Sequence, residues 1–363
     1  MALLTVAVLF GGRSSEHTIS CATAGGVLSA IDRDKYRVIP LGITRDGALT
    51  LQDDDAEALR MRPEAMPEVV DNGSRVRWPE SASSSELTVT DADGATRSLG
   101  DVDVVFPILH GPFGEDGTIQ GLLELVGMPY VGNGVLASAL GMDKHFTKNA
   151  LEAAGVAVAP WVTVNPVQWR NENELWRSRA EALGLPAFVK PARAGSSVGV
   201  TKVTDWRDLD AALEKAFAED GKALIERAVE GREIECGVLS ARDGGEPRVS
   251  LPGEIVVTGR DFYDFEAKYL QVDAATLVCP TELHEGELRE MERVAVRAFE
   301  AIGAAGLARV DFFFTGSEFV VNEINTMPGF TPISMFPKCW AASGLEYPDL
   351  IDELIELGLA TVR

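Results

Sequence analysis

Residues 308–330 read ARVDFFFTGSEFVVNEINTMPGF, and this stretch decides the fold expected for the C-terminal part of the chain. Two apolar runs flank a short glycine-containing segment, which predicts a β-hairpin. Because side chains alternate across a strand, Arg309 and Asp311 share one face, as do Glu323 and Asn325 on the next strand. Those faces coincide if Asp311 lies opposite Glu323, which requires an odd-length turn such as Gly316 to Glu318.

The predicted hairpin gathers two carboxylates and one amide on a single face, from Asp311, Glu323 and Asn325. Hard oxygen ligands of this kind, few enough to leave coordination positions open for phosphate oxygens, suit Mg²⁺. A hairpin with ordinary solvated charges is the alternative interpretation. The other face of both strands is predicted to be buried, because DFFF and FVV are apolar.

A second informative stretch is VKPARAGSSVG at 189–199, which joins two strand-like segments through a loop of small residues. Lys190 at a strand end is a point charge suited to phosphate. Ala194, Gly195, Ser196 and Ser197 let backbone N–H groups and hydroxyls approach anionic oxygens closely. This pattern predicts a mobile flap over a ligand, with a merely flexible surface loop as the alternative.

The N-terminal part is predicted to form a parallel sheet covered by helices. Residues 3–10 read as a buried strand, 15–31 as a helix and 36–44 as a second strand, which is a βαβ opening. A predicted strand at 103–111 and a predicted helix at 117–127 repeat the order of strand, glycine turn and helix. We expect this domain to end near Val131. Residues 52–100 are polar with short strand-like pieces and read as a peripheral elaboration. A continuous helix is predicted over 137–155.

The composition restricts the class of protein. Lys and Arg number 33 against 56 Asp and Glu, a formal net charge of −23, so long-range repulsion argues against nucleic acid and anionic membranes as partners. The four cysteines form no C-x-x-C pair, which predicts neither a disulfide framework nor a zinc knuckle. No apolar run reaches the ~20 residues needed to cross a bilayer. ALLTVAVLF reads as a first strand rather than a signal segment, and we expect a cytoplasmic protein.

An ordered set of motifs resembles the ATP-grasp ligases, and specifically the D-alanine:D-alanine ligase family. The resemblance covers most of the chain except roughly 52–100. The motifs that carry it are FGGRSSEHTIS (10–20), HGPFGEDGTIQGLLE (110–124), SALGMDKHFTK (138–148), VKPARAGSSVGV (189–200), FYDFEAKY (262–269), RVDFFF (309–314) and NEINTMPGFTPIS (322–334).

The resemblance implies an α/β fold, α+β in the C-terminal part, with a three-domain ATP-grasp architecture. The expected domains are an N-terminal α/β domain at 1–132, a central lid domain at 133–230, and a C-terminal domain with the metal and substrate sites at 231–363. The nucleotide is expected between the central and C-terminal domains. The resemblance also favours a homodimer.

For ATP, the resemblance implies that Lys144 and Lys190 hold the phosphates, with Ser197 and Lys268 also at the nucleotide. Glu226 would border the adenine and Glu233 would accept hydrogen bonds from the ribose hydroxyls. Two Mg²⁺ ions, for which Mn²⁺ could substitute, would be held by Asp311, Glu323 and Asn325.

For D-alanine, the resemblance places Glu16 at the ammonium of the first molecule, linked to Ser196 and Tyr269 in a group that holds the lid closed. Lys268 and Ser334 would bind the carboxylate of the second molecule, and His110 would contact substrate. Arg309 and the N–H of Gly329 would stabilise the oxyanion. Many relatives carry an acidic residue where Ala194 stands, so lid contacts made by that carboxylate are not expected.

The implied activity is ATP-dependent joining of two D-alanine molecules through an acyl phosphate, which supplies a peptidoglycan precursor and releases ADP and phosphate. A D-alanine:D-lactate ligase is the nearest alternative, although the intact EAKY motif resembles the dipeptide-forming members. Another ATP-grasp amino-acid ligase is a further alternative. A Rossmann-type nucleotide-binding protein using GNGVLA (132–137) and a non-catalytic two-lobed binding protein are more distant ones.

Overall fold

The computed structural model describes residues 3–62, 64–195, 198–257 and 275–360. Its N-terminal part contains, in chain order, β1 (Leu4–Gly11), α1 (His17–Ala30), β2 (Tyr36–Ile43), β3 (Leu49–Leu51), β4 (Arg75–Arg77), β5 (Glu86–Thr90), β6 (Thr96–Asp101), β7 (Val104–Ile108) and α2 (Thr118–Leu125). Strands β2 and β7 pair with β1 in parallel, and β3 adds an antiparallel edge. The predicted βαβ opening is confirmed.

Both faces of the N-terminal sheet are covered, which explains why its strands are almost continuously apolar. One face packs against α1, with Val6, Val8 and Phe10 in the core. The other face, with Ala7 and Leu9, packs against α2 and against the separate antiparallel sheet of β4, β5 and β6. The segment 52–100 therefore supplies a cover for this sheet.

Two helices follow, α3 (Val135–Met142) and α4 (Lys144–Ala153), where the sequence predicted one continuous helix over 137–155. That prediction is wrong because Asp143 adopts an extended conformation between them. Its side chain accepts hydrogen bonds from the backbone N–H groups of His145 and Phe146 and so caps α4. Lys144 is therefore the first residue of a separate helix, α4.

The central part is an antiparallel sheet with helices on one face. Its elements are β8 (Trp161–Val164), α5 (Pro166–Asn171), α6 (Asn173–Glu181), β9 (Ala187–Pro191), β10 (Thr201–Val203), a 3-10 helix (Trp206–Asp208), α7 (Leu209–Glu219) and β11 (Ala223–Arg227). The strand order is β10-β9-β11-β8. Val189 and Ile225 face the core shared with α7, so by alternation Lys190 and Glu226 occupy the opposite face.

The C-terminal part is a larger antiparallel sheet. Its elements are β12 (Arg232–Leu239), β13 (Arg248–Val249), β14 (Gly253–Val257), β15 (Ala275–Val278), α8 (Glu285–Ala301), β16 (Leu307–Phe314), β17 (Phe319–Asn325), α9 (Met335–Ala342) and α10 (Tyr347–Ala360). The order is β15-β14-β12-β16-β17, with β13 also pairing with β12. No helix of the described ranges is long and apolar enough to cross a bilayer.

Two segments pack across the predicted domain boundaries. Helices α3 and α4 contribute Ala137 and Leu151 to the core between α8 and the C-terminal sheet. Helix α10 contributes Leu350 and Leu354 to the core of the N-terminal sheet. The three parts are therefore interlocked by packing.

Asp311 lies opposite Glu323, as predicted, but the odd-length turn is wrong. Phe314 pairs with Phe319, which leaves a four-residue loop at 315–318, and the pairing register shifts between Asp311 and Phe312. The extra residue of this β-bulge is Asn322 in β17, between the partners of those two residues. The bulge thus turns Glu323 to the face of Asp311.

Candidate active site

A cavity of about 110 Å³ lies where all three parts meet. It is enclosed by the start of α1, the loop after β7, the α3–α4 junction, the loop after β9 and the ends of β16 and β17. Seven of the predicted site residues line it, namely Glu16, His110, Lys144, Arg309, Glu323, Asn325 and Gly329. Glu115, Ala194 and Gly195 line it as well.

Glu16 stands at the N-terminus of α1, where a carboxylate interacts favourably with the helix dipole. Its carboxylate packs against two glycines from other segments. A Cβ on Gly111 would approach Glu16 Oε2 to 2.7 Å, and one on Gly195 would approach it to 3.1 Å. Both glycines therefore let the backbone come close to this carboxylate, and the second belongs to the predicted lid loop.

His110 and Glu115 belong to the loop after β7 and lie close to Glu16. His110 Nδ1 lies 3.2 Å from the carbonyl oxygen of Met327; because a carbonyl only accepts, Nδ1 carries the proton and Nε2 is left as an acceptor. Burial lowers the pKa of His110, while Glu16 and the Met327 carbonyl oppose that shift. His110 is thus held neutral.

Glu115 was not predicted as a site residue. Its Oε1 accepts a hydrogen bond of 2.8 Å from the N–H of Gly111. Burial and the nearby Glu16 carboxylate raise the pKa of Glu115 to about 8. At neutral pH this carboxyl therefore holds a proton and fixes the Gly111 backbone next to Glu16.

Arg309 is held by two carboxylates. Its Nε and Nη2 donate to the two oxygens of Asp311, both at 2.7 Å, and its Nε lies 3.0 Å from Glu235 Oε2. Burial acts to lower the pKa of Arg309, but Asp311 and Glu235 outweigh it and raise the pKa well above the usual value. Asn325 Nδ2 donates to Asp311 at 3.0 Å. The guanidinium is therefore charged and rigidly oriented.

Lys144 connects the loop after β9 to the end of β17. Its Nζ donates to the carbonyl oxygen of Ala194 at 2.9 Å and lies 3.7 Å from Glu323 Oε2. Its backbone N–H donates to the carbonyl of Ala192. The junction of α3 and α4 thus holds the base of the predicted lid.

The other predicted residues that the structure describes, Asp311 among them, are not part of the lining of this cavity. Lys190 Nζ donates to Glu226 Oε1 at 2.9 Å on the face of the central sheet opposite α7. Glu233 lies in β12, opposite Phe313. Ser334 occupies the N-cap position of α9 without a side-chain capping bond, and its hydroxyl lies 2.7 Å from that of Thr331. Ser196, Ser197, Lys268 and Tyr269 lie outside the described residues.

Three ionisable residues were not predicted from the sequence, although each had a weak signal. Glu115 lies in a quoted motif, Glu235 shares the face of Glu233 in β12, and Lys148 follows Lys144 by one helical turn. Glu115 lines the cavity, whereas Glu235 and Lys148 are buried, with exposures of 5 % and 2 %. These positions depend on the fold and are not visible in the sequence.

Two family models match this chain. The N-terminal D-ala D-ala ligase model matches residues 5–133, and the C-terminal model matches residues 150–356. The chain belongs to the D-alanine–D-alanine ligase family. The resemblance stated from the motifs is confirmed, and so is the predicted α/β fold class of the ATP-grasp type.

Individual members of the family are similar over almost the whole chain. The D-alanine–D-alanine ligase of Paenarthrobacter aurescens is 53 % identical over 357 residues, which cover 98 % of this chain and 94 % of that protein. The VanG D-Ala:D-Ser ligase structure from Enterococcus faecalis has a TM-score of 0.84 at 34 % identity and covers 98 % of this chain and 100 % of its own.

A D-alanine–D-alanine ligase structure from Bacillus anthracis complexed with ATP has a TM-score of 0.71 at 26 % identity, covering 98 % of this chain and 97 % of its own. Family membership does not favour the Rossmann alternative. Within GNGVLA, Asn133 is 3 % exposed and binds the carbonyls of Leu307 and Thr326 at 2.6 and 2.8 Å. That segment therefore joins two parts of the ligase fold.

The family's ATP chemistry implies a divalent cation, and the donor set fits Mg²⁺. Glu323 and Asn325 offer hard oxygens at the cavity. The carboxylate of Asp311 lies behind them and accepts hydrogen bonds from Arg309 and from the amide nitrogen of Asn325. Among the described residues, at this cavity or away from it, no three His, Cys, Asp or Glu side chains form a cluster that could hold a metal ion. The predicted set uses an amide as its third member.

His17, another histidine of the quoted motifs, is structural. It is 0 % exposed, its Nδ1 lies 2.6 Å from the Gly12 carbonyl oxygen, and its Nε2 accepts from the N–H of Val69 at 2.9 Å. Because both ring nitrogens bind backbone groups, His17 holds the turn after β1 in the ligase fold. This turn supports the segment that carries Glu16.

Proposed function

We propose that this chain catalyses the ATP-dependent ligation of two D-alanine molecules to D-alanyl-D-alanine for peptidoglycan synthesis. The observation that carries the proposal is one cavity lined by Glu16, Lys144, Arg309 and Glu323, in a chain 53 % identical to a named D-alanine–D-alanine ligase. An anion for the substrate ammonium, cations for phosphate and a guanidinium for an oxyanion are the groups that this reaction needs.

In the proposed reaction, a carboxylate oxygen of the first D-alanine attacks the γ-phosphorus of ATP and the bond to ADP breaks. The ammonium of the second D-alanine loses a proton to water, and the resulting amine attacks the carbonyl carbon of the acyl phosphate. Collapse of the tetrahedral intermediate expels phosphate, and the nitrogen loses a second proton to water, which leaves the neutral peptide bond. The nucleophile is a free amine, so coupling is expected to fall at low pH.

The proposed roles follow the charges at the cavity. Glu16 holds the first ammonium, and Lys144 and Lys190 neutralise phosphate oxygens. Arg309 and the N–H of Gly329 stabilise the tetrahedral oxyanion. Holding the two substrates in line supplies most of the remaining acceleration.

The other assignments complete the proposal. Glu226 and Glu233 bind the nucleoside, and Ser334 with Lys268 binds the second carboxylate. Ser196, Ser197 and Tyr269 act with the lid, and His110 contacts substrate. Asp311, Glu323 and Asn325 would hold two Mg²⁺ ions, which would neutralise charge on the phosphates. We further propose domains at 1–132, 133–230 and 231–363, and a cytoplasmic homodimer.

The test is phosphate release from Mg-ATP with and without D-alanine, with products identified by mass spectrometry. We expect phosphate release to depend on D-alanine and the dipeptide to be the main product. D-lactate and D-serine offered in competition with D-alanine test the acceptor, since one similar structure is a D-Ala:D-Ser ligase. A mixed product in excess of the dipeptide would refute the proposed acceptor.

A further inference from the structure

Lys148 is a lysine buried to a degree that is rare for this residue type. It lies in α4, one turn after Lys144, and is 2 % exposed. Its Nζ lies 2.7 Å from Oε2 of Glu226, which is also 2 % exposed. The contact is a short ion pair between two side chains that are both enclosed by protein.

Glu226 binds a second ammonium at its other oxygen. Lys190 Nζ lies 2.9 Å from Oε1, and its side chain is 13 % exposed against 3 % for that of Lys148. The two cations therefore differ in their freedom. Lys148 is enclosed between α4 and the central sheet, whereas Lys190, on the same face of that sheet, is partly exposed.

The charges at this site do not balance, since two ammonium groups share one carboxylate. Burial acts to raise the pKa of Glu226, but Lys190 and Lys148 outweigh it and hold that pKa below the usual value. Burial lowers the pKa of Lys148, and Glu226 opposes that shift. Without Lys148, Lys190 would be the remaining counter-ion of a buried carboxylate.

We infer that Lys148 is a positioning residue for the nucleotide: it neutralises and fixes Glu226 at one oxygen, so that Lys190 at the other oxygen is available to a phosphate. The inference rests on the proposed function, which puts ATP phosphates at Lys190. Removing Lys148 is expected to keep Lys190 bound to Glu226, because separating them would leave the carboxylate unpaired.

The test measures binding of the ATP analogue AMPPNP with Mg²⁺ by isothermal titration calorimetry. Lys148→Met is expected to raise Kd at least about tenfold, and Lys148→Arg, which keeps the charge, by less than about threefold. Lys202→Met, an exposed lysine of β10, is the matched control and should bind as wild type. The KM for D-alanine should stay within about twofold in all three variants.

A second comparison keeps the test decisive if the Lys148→Met variant does not fold. Lys148→Met/Glu226→Gln removes both buried charges and should fold. If Lys148 acts through Glu226 alone, this double variant binds AMPPNP within about twofold of Glu226→Gln.

Wild-type AMPPNP affinity in Lys148→Met would overturn the inference, and so would a double variant several-fold weaker than Glu226→Gln. An equal rise in the KM for D-alanine would overturn it as well. Calorimetry needs no turnover, so a chain that binds AMPPNP without making dipeptide would refute the proposed function and leave the inference standing.

Discussion

Arg309 and Asp311, two residues apart on β16, form a two-point ion pair with both N–O distances at 2.7 Å. Such a pair holds the guanidinium plane in one orientation. The predicted oxyanion donor is thus also the partner of a predicted metal ligand, which couples the two halves of the site. A change at either residue should therefore affect more than its own contact.

Arg309→Ala is expected to lower kcat by about 10²-fold or more, by loss of an oxyanion donor. Arg309→Lys should recover little of this, because an ammonium does not reproduce the two-point contact. Steady-state kinetics of both variants make the measurement. Arg293→Ala, at an exposed arginine on α8, is the control, and unchanged kcat in a folded Arg309→Ala protein would remove Arg309 from the mechanism.

Glu115→Gln is expected to keep kcat/KM for D-alanine within about threefold of wild type at pH 7. The reason is that the carboxyl, with a pKa raised to about 8, is already neutral there, and the amide oxygen still accepts from Gly111. Glu115→Ala loses that acceptor and should lower kcat/KM by up to about tenfold. Equal losses in both variants would show that Glu115 acts as an anion.

His17 predicts how stability varies with pH. Burial lowers the pKa of His17 from the usual 6.5. As the pH falls below 6.5, the unfolded chain therefore binds more protons than the native state, and the native state loses stability. The loss is up to about 1.4 kcal/mol per pH unit. In urea unfolding at pH 7.5, 6.5 and 5.5, His17→Gln should weaken this dependence, since an amide can bind Gly12 and Val69 without titrating. An unchanged slope would contradict the assignment.

Asn133→Ala is expected to lower the free energy of unfolding by about 2–4 kcal/mol. The side chain binds the carbonyls of Leu307 and Thr326 and accepts from the N–H of Ala305, and its loss leaves buried backbone groups unpaired. Asn149→Ala, at an exposed asparagine of α4, should cost less than about 0.5 kcal/mol. Chemical denaturation measures the free energy of unfolding of both variants. Similar losses of free energy would refute the proposal that Asn133 links the N-terminal and C-terminal parts.

The parts of the fold that follow from local periodicity were predictable. The βαβ opening and the shared faces of Arg309 with Asp311 come directly from alternation along a strand. The bulge was missed, although Phe319, Val321 and Ile324 face one core and their spacing changes from two to three. A change of spacing within an apolar strand is the signal of an inserted residue.

The buried charge pairs were not predictable in the same way. Lys148 and Glu226 are 78 residues apart, and a lysine on a helix is ordinarily exposed. Their contact depends on how α4 packs against the central sheet, which is a tertiary property. The break between α3 and α4 had a local signal, because Asp143 is a favourable helix cap.

The packing of α10 on the N-terminal sheet has a consequence for biosynthesis. Leu350 and Leu354 of α10 share a core with Val6 and Phe10 of β1. Strand β1 leaves the ribosome early, whereas α10 is synthesised near the end of translation, so this core cannot form until then. At ordinary elongation rates the delay is on the order of tens of seconds. During that time part of an apolar face remains in water, where a chaperone would bind the nascent chain.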